Sequence, residues 1–261
     1  MTEIAEGVAS CEAALTDLTR DVFLGGGLQI LQPRHGYRAA TDPVFLAASV
    51  PASPGETVLE LGCGVGVALL ALGRRVEGLH LTGVERQSGY ADLARRNAQI
   101  NGIAAEIHAE DLADLPLPLK RGFDHVLVNP PFYPAHAPVP QHPERAAGRH
   151  EETPLALWID VALKRLAPGG HLTLIHLADR LPEILALIGA RAGATAVRPL
   201  AARGGRPAGR ILLQARKGAR GKFRLLAPLI IHEGAQHIDD RDDFTPEAQQ
   251  VLRYGAALDW Q

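Results

Sequence analysis

The chain predicts an α/β protein with a doubly wound, mostly parallel sheet and an antiparallel C-terminal hairpin. Three observations carry this. Short, almost continuously apolar runs alternate with helical stretches from residue 57 onward, the pattern of parallel strands buried on both faces. A glycine turn, Gly62-Cys63-Gly64-Val65-Gly66, joins the first run to its helix. Handed crossovers between successive parallel strands leave few other topologies. With 261 residues, 46% hydrophobic and 21% charged, the composition is that of an ordinary globular protein.

Residues 22–31 read as a small hairpin turning at Gly25-Gly26-Gly27, and 43–50 as a helix. Strands follow at 57–61, 79–84, 103–108, 123–128 and 171–177. Helices fall between them at 65–74, at 88–101 with Ser88 as N-cap and Asn101-Gly102 as the stop, and at 154–166 with Thr153 as N-cap. A further helix is predicted at 181–190 and a last short one at 246–255. Two strands, 211–215 and 223–231, flank a Gly/Arg loop at 216–222, which reads as the closing hairpin. The organisation predicted is an N-terminal lid and hairpin segment, 1–56, followed by one domain, 57–261.

No apolar run approaches the ~20 residues that span a bilayer. The first residues are acidic (Glu3, Glu6, Glu12) and lack a basic-then-apolar leader pattern, so a cytoplasmic location is expected. Two cysteines, Cys11 and Cys63, make neither a disulfide framework nor a zinc set. His136, His142 and His150 lie in a proline-rich loop without ligand spacing, and no metal is expected.

The net charge of −2 conceals an asymmetry. No acid occurs between Glu183 and Glu233, whereas ten cations do: Arg191, Arg198, Arg203, Arg206, Arg210, Arg216, Lys217, Arg220, Lys222 and Arg224. Clustered cations on an acidic body suit a polyanion such as RNA, with Arg216, Lys217 and Arg220 as candidate contacts. A solvated arginine-rich hairpin is the plainer alternative.

The glycine turn reads G-x-G-x-G. A dinucleotide-binding loop would read G-x-G-x-x-G, and its third position here is Val67. Glu60 stands two residues before Gly62 and would repel a pyrophosphate but attract a cationic ligand. Glu85, with Arg86 after it, ends the second strand, where an acid can accept both hydroxyls of a ribose. After the third strand, Asp111 can accept from an aromatic amine and the Leu112 N–H can serve a ring nitrogen. Asp111 reads equally well as a helix N-cap. These positions all fall at the carboxyl ends of strands, where open α/β sheets bind ligands.

The fourth strand runs into Asn129-Pro130-Pro131-Phe132. A carboxamide offers an acceptor and donors, two prolines stiffen the loop and leave carbonyls unpaired, and an aromatic face permits stacking. That combination suits holding a planar amine-bearing group. By itself it also suits a proline-terminated strand with a buried phenylalanine.

Taken together, Glu60 to Gly66, Glu85, Asp111 and Asn129 to Phe132 resemble the class I S-adenosylmethionine-dependent methyltransferases, over roughly residues 55 to 180. The resemblance implies a Rossmann-like sheet, S-adenosylmethionine as cofactor, and methylation of a planar nitrogen by Asn129, Pro130, Pro131 and Phe132. It implies cofactor contacts from Glu60, Gly62, Cys63, Gly64, Gly66, Glu85, Arg86, Asp111, Leu112 and Asn129. Gly36-Tyr37-Arg38-Ala39-Ala40-Thr41-Asp42 before the first helix is similar to the bacterial tRNA adenine-N6 methyltransferases, including the group that modifies adenine 37 of a valine tRNA. That similarity implies that Thr41 reaches the cofactor and that Tyr37 and Asp42 line the site. Thr41-Asp42-Pro43 also reads as a plain helix start with Asp42 as N-cap. Tyr133 and Arg149 become candidate substrate contacts. The expected partner is RNA, foremost tRNA. A glutamine-N5 protein methyltransferase, a guanine-N2 rRNA methyltransferase and a cofactor-binding RNA chaperone remain as alternatives.

Overall fold

A computed structural model describes residues 17–134, 150, 151, 153–236 and 242–260. A hairpin, β1 (Leu18–Phe23) and β2 (Leu28–Pro33), precedes the first helix, α1 (Asp42–Ala48). Then come β3 (Thr57–Leu61), α2 (Val67–Arg75), β4 (His80–Val84), α3 (Ser88–Ile100), β5 (Ala105–His108) and β6 (Phe123–Val128). The two-residue strands β7 (Tyr133–Pro134) and β8 (His150–Glu151) pair with each other in parallel. The chain continues through α4 (Leu155–Arg165), β9 (Leu166–Leu177), α5 (Leu181–Ile188), β10 (Ala192–Arg203), β11 (Arg210–Lys217), β12 (Arg224–Leu225), β13 (Leu229–His232) and α6 (Pro246–Tyr254).

The main sheet has the order β5-β4-β3-β6-β9-β11-β10-β12, with β13 also paired to β10. Strands β5 to β9 in this order are mutually parallel, and β11 runs antiparallel to both its neighbours. Alternate residues of each central strand enter two separate cores. Val58 and Leu127 pack with the hairpin, α1, α2, α3 and α6, whereas Leu59, Leu61, Val126 and Val128 pack with α4 and α5. The chain winds outward from β3 to β5 under one layer of helices and from β6 to β9 under the other. The reversal lies between β3 and β6, where such sheets open a crevice for ligands.

The closing hairpin differs from the expected one. The antiparallel pair is β10 with β11, turning at 204–209, and β12 and β13 pair with β10 in parallel. Residues 192–203 form a long strand that the sequence left unassigned, because Arg198 and Pro199 interrupt its apolar pattern. Helix starts also shift. Gln87 caps α3 with Ser88 as its first residue, Pro154 precedes α4, and Thr41 rather than Asp42 precedes α1.

The N-terminal hairpin is fastened to the body by carboxamides. Asn97 is fully buried, donates to the carbonyls of Leu31 (3.1 Å) and Val65 (2.9 Å), and accepts the Leu31 N–H at 2.8 Å. Asn101 makes the same reciprocal pair with the Gln29 backbone. One side chain therefore joins the hairpin to the glycine turn.

Candidate active site

The glycine turn closes on itself and on the neighbouring strand end. The Cys63 N–H donates to the Val84 carbonyl at 2.9 Å and the Gly66 N–H to the Cys63 carbonyl at 2.8 Å. Gly62 has φ +68 and a Cβ there would lie 2.5 Å from the Trp158 ring, so only glycine fits. Cys63 is buried against Gly83, and with both its backbone groups engaged it shapes the turn instead of presenting itself outward.

Glu85 locks the turn. Its Oε2 accepts the Gly64 N–H at 3.0 Å and its Oε1 accepts the Gln87 N–H at 2.9 Å. Each oxygen keeps a second lone pair for a hydroxyl. Burial raises the Glu85 carboxyl above the usual range, against the pull of those two N–H groups and of Arg86. Tyr37 roofs the turn, with a ring carbon 3.6 Å from the position a Gly64 Cβ would take.

Glu60 sits deeper than the sequence suggests. It is 3% exposed and accepts the Leu69 N–H at 2.9 Å, bracing α2 against β3. Burial pushes its pKa up to about 8, so the free protein holds it protonated at neutral pH. Asp111 is an N-cap: its Oδ1 accepts the Ala113 N–H at 2.8 Å, which leaves Oδ2 for a ligand. Leu112 is buried beneath it. Arg86 is exposed beside Glu85.

Asn129 is half-buried one residue past β6, at the switch point, where the pairing of Val128 with Leu61 sets it level with the start of the glycine turn. Phe132 follows it in a small cluster that the sequence reading missed. The Arg210 guanidinium lies 4.5 Å from the Phe132 ring centroid, and its Nε donates to Asp42 Oδ2 at 3.2 Å. His176, near the end of β9, meets the Phe132 ring edge-on at 5.4 Å. Burial, then the nearby Arg180, pushes the His176 pKa down to about 4, so the imidazole is neutral. A histidine inside an apolar strand was the one sequence signal for this cluster.

A family model, the methyltransferase small domain, matches residues 41–183. The chain belongs to that family. The matched segment spans α1, the glycine turn, Glu85, Asp111 and Asn129 to Phe132. A tRNA1(Val) (adenine(37)-N6)-methyltransferase of Porphyromonas gingivalis is 32% identical over 174 residues, covering 63% of this chain and 68% of its own. A predicted O-methyltransferase from Agrobacterium tumefaciens superimposes with a TM-score of 0.67 at 28% identity, covering 83% of this chain and 98% of that one. The T. thermophilus 16S rRNA N2 G1207 methyltransferase, solved with AdoMet and guanosine, shares the fold, with a TM-score of 0.53 at 22% identity over 77% of this chain and 50% of its own.

This methyltransferase small domain therefore uses S-adenosylmethionine as methyl donor. The site suits it: Glu85 and Asp111, at neighbouring strand ends, each keep carboxylate lone pairs beyond their backbone bonds, which accept hydroxyls and amines but would repel a phosphate. Thr41 ends the roofing segment as the residue before α1, and its hydroxyl makes no capping bond there.

Other expected contacts lie elsewhere. Arg216 and Lys217 are at the opposite end of β11 from Arg210, donating to the carbonyls of Gly169 (2.9 Å) and Leu166 (2.6 Å). Arg216 is level with His171 and hence with His125, four residues before Asn129, which is roughly 13 Å along the sheet. Arg220 follows on the same end, exposed, together with Lys222, Phe223, Arg224 and Leu225. Four of the ten cations face acids from distant segments: Arg191–Asp160, Arg198–Glu247, Arg203–Asp243 and Arg210–Asp42. The basic stretch is thus narrower than its sequence implies. The Tyr133 backbone is in β7, while Arg149, His136 and His142 lie outside the described residues. Among those residues no His/Cys/Asp/Glu group could hold a metal, and no helix is long and apolar enough to cross a membrane.

Proposed function

We propose that this methyltransferase modifies the exocyclic N6 amine of an adenine in tRNA. The observation that carries the reading is the placement of Asn129 and the Pro130 carbonyl at the switch point, beside an aromatic ring and opposite the glycine turn. An exocyclic amine is a weak nucleophile because its lone pair is delocalised into the ring. Accepting its two hydrogens at Asn129 Oδ1 and the Pro130 carbonyl draws the nitrogen towards a tetrahedral shape and points the lone pair at the methyl donor. S-adenosylmethionine supplies an electrophilic methyl group. The protein's part is orientation and fixed dipoles. A carboxamide takes hydrogen bonds but no proton, which suits an amine better than a hydroxyl that must be deprotonated.

Glu85 would accept the ribose hydroxyls, Asp111 Oδ2 the adenine amine of the cofactor, and Thr41, under Tyr37, its carboxylate end. Pro131 stiffens the loop, and Phe132 with Tyr133 would stack on the target base, a contact worth about 1–3 kcal/mol. A base in folded RNA must be splayed out to arrive there. The basic end near Arg216, Lys217 and Arg220, with Phe223 52% exposed among them, would hold RNA away from the reacting base, and Arg149 is a further candidate substrate contact. The relatives named as adenine-37 tRNA enzymes support this choice of substrate, and such an enzyme works in the cytoplasm.

The test is incubation with labelled S-adenosylmethionine and total RNA or total protein, followed by hydrolysis. N6-methyladenosine in the tRNA fraction is the expected product. N2-methylguanosine in rRNA or methylglutamine in protein would overturn the reading.

A further inference from the structure

One face of the Phe132 ring is already covered. The Arg210 guanidinium lies 4.5 Å from the Phe132 centroid, and stacked rings have centroids about 4.5–7 Å apart. A guanidinium in that layer and a base cannot share the same face. The ring's other close neighbour is no easier to displace. His176 is fully buried on β9, its Nδ1 accepts the Leu177 N–H at 2.8 Å, and its Nε2 has no hydrogen-bond partner among the described residues. The two rings form a T-shaped pair at an interplanar angle of 72°.

Arg210 is tethered far more weakly. Its ion pair with Asp42 is partly exposed, 29% and 26% for the two side chains, so solvent competes for both charges. Its Nη1 donates to Gly209 O at 3.3 Å. It opens β11 directly after the turn Gly204-Gly205-Arg206-Pro207-Ala208-Gly209, where Gly204, Gly205 and Gly209 have open space around them. A guanidinium is also the side chain best shaped to exchange a carboxylate for a phosphate, since both present paired oxygens.

We propose that Arg210 is a stand-in for the target base: it occupies Phe132 while paired to Asp42, and leaves the ring for a phosphate of the entering nucleotide when RNA binds. The exchange rests on the RNA-methylating reading above. It makes Asp42 a restraint on substrate entry. One cation–π contact and one ion pair are replaced by one base stack and one arginine–phosphate pair, so the covered ring is protected from solvent until a base is available.

The test uses the full chain with an unmodified tRNA1(Val) transcript, measuring affinity across a potassium chloride series and steady-state transfer. Arg210→Ala is expected to weaken binding, to make the slope of log affinity against log salt shallower by about 0.7–0.9, and to raise KM more than it lowers kcat. Arg210→Lys is expected to restore the slope. Asp42→Asn is expected to tighten binding by up to about fivefold, a gain lost in the double variant with Arg210→Ala. If Asp42→Asn weakens binding as Arg210→Ala does, or the salt slope stays the same in Arg210→Ala, Arg210 is only a structural plug and the proposal fails. If the wild-type protein binds the transcript at no salt concentration, the RNA reading fails first and takes this exchange with it.

Discussion

The Gly64 N–H donates to Glu85 Oε2 at 3.0 Å, so the acid ending β4 holds the glycine turn that follows β3. One side chain thereby shapes the turn and offers its remaining lone pairs to a ligand. Replacing Glu85 by alanine removes both effects. We expect Glu85→Ala to weaken S-adenosylmethionine binding by tenfold or more, about 1.4 kcal/mol, and Glu85→Gln to weaken it less. An unchanged dissociation constant by calorimetry would reject the ribose role.

Asn129 acts only on the reacting amine in the proposed chemistry. Removing a preorganised dipole from a reacting centre costs roughly 10²–10³ in kcat. Asn129→Ala should therefore lower kcat by roughly 10²–10³ while cofactor affinity stays nearly intact. Turnover above roughly one tenth of the wild-type rate would show that the carboxamide does not orient the nucleophile.

Glu60 predicts a pH signature in the free protein. Its folded pKa of about 8 lies above the usual value of 4.5 because it is buried. Between those values the folded state binds more protons than the unfolded state, so stability falls as pH rises through that window. Glu60→Gln keeps an acceptor for the Leu69 N–H and carries no charge. Its melting temperature should fall less than that of wild type between about pH 5, near the lower end of that window, and about pH 9, roughly one unit above its upper end. Parallel melting curves for the two proteins would contradict the buried, protonated assignment.

Arg216, Lys217 and Arg220 crowd one end of the sheet, away from Asn129. Reversing all three charges to glutamate should weaken RNA affinity and flatten its salt dependence by about 2–3 in slope, with transfer to a saturating RNA little changed. Affinity equal to wild type at low salt would mark this end as a solvated rim with no part in RNA binding.

Much of the site was legible because its chemistry is local. Glu60 to Gly66 and Asn129 to Phe132 are contiguous, and each follows a strand whose apolar run is plain in the sequence. The apolar period of 3.6 or the continuous run is set by neighbours within a few residues. The same locality explains the errors. Strand β10 hides behind Arg198 and Pro199, since Arg198 is buried only because Glu247 reaches it from α6. Local pattern assigned the closing turn to the glycines at 216–222, whereas the pairing of β11 with both β9 and β10 decided it.

By itself the sequence determined the alternation of strands and helices from β3 to α5, the glycine turn, the acids at the strand ends and the Asn-Pro-Pro-Phe stretch. Tertiary structure alone decided which charges matter. Asp42 and Arg210 are 168 residues apart and Asn97 reaches Leu31 across 66, separations over which no local propensity acts. Sheet register places Arg210 at the site and Arg216 at the far end of the same strand, because every residue of a strand advances it about 3.3 Å. Six residues of β11 thus separate the cation over the Phe132 ring from the cations that hold the Gly169 and Leu166 carbonyls.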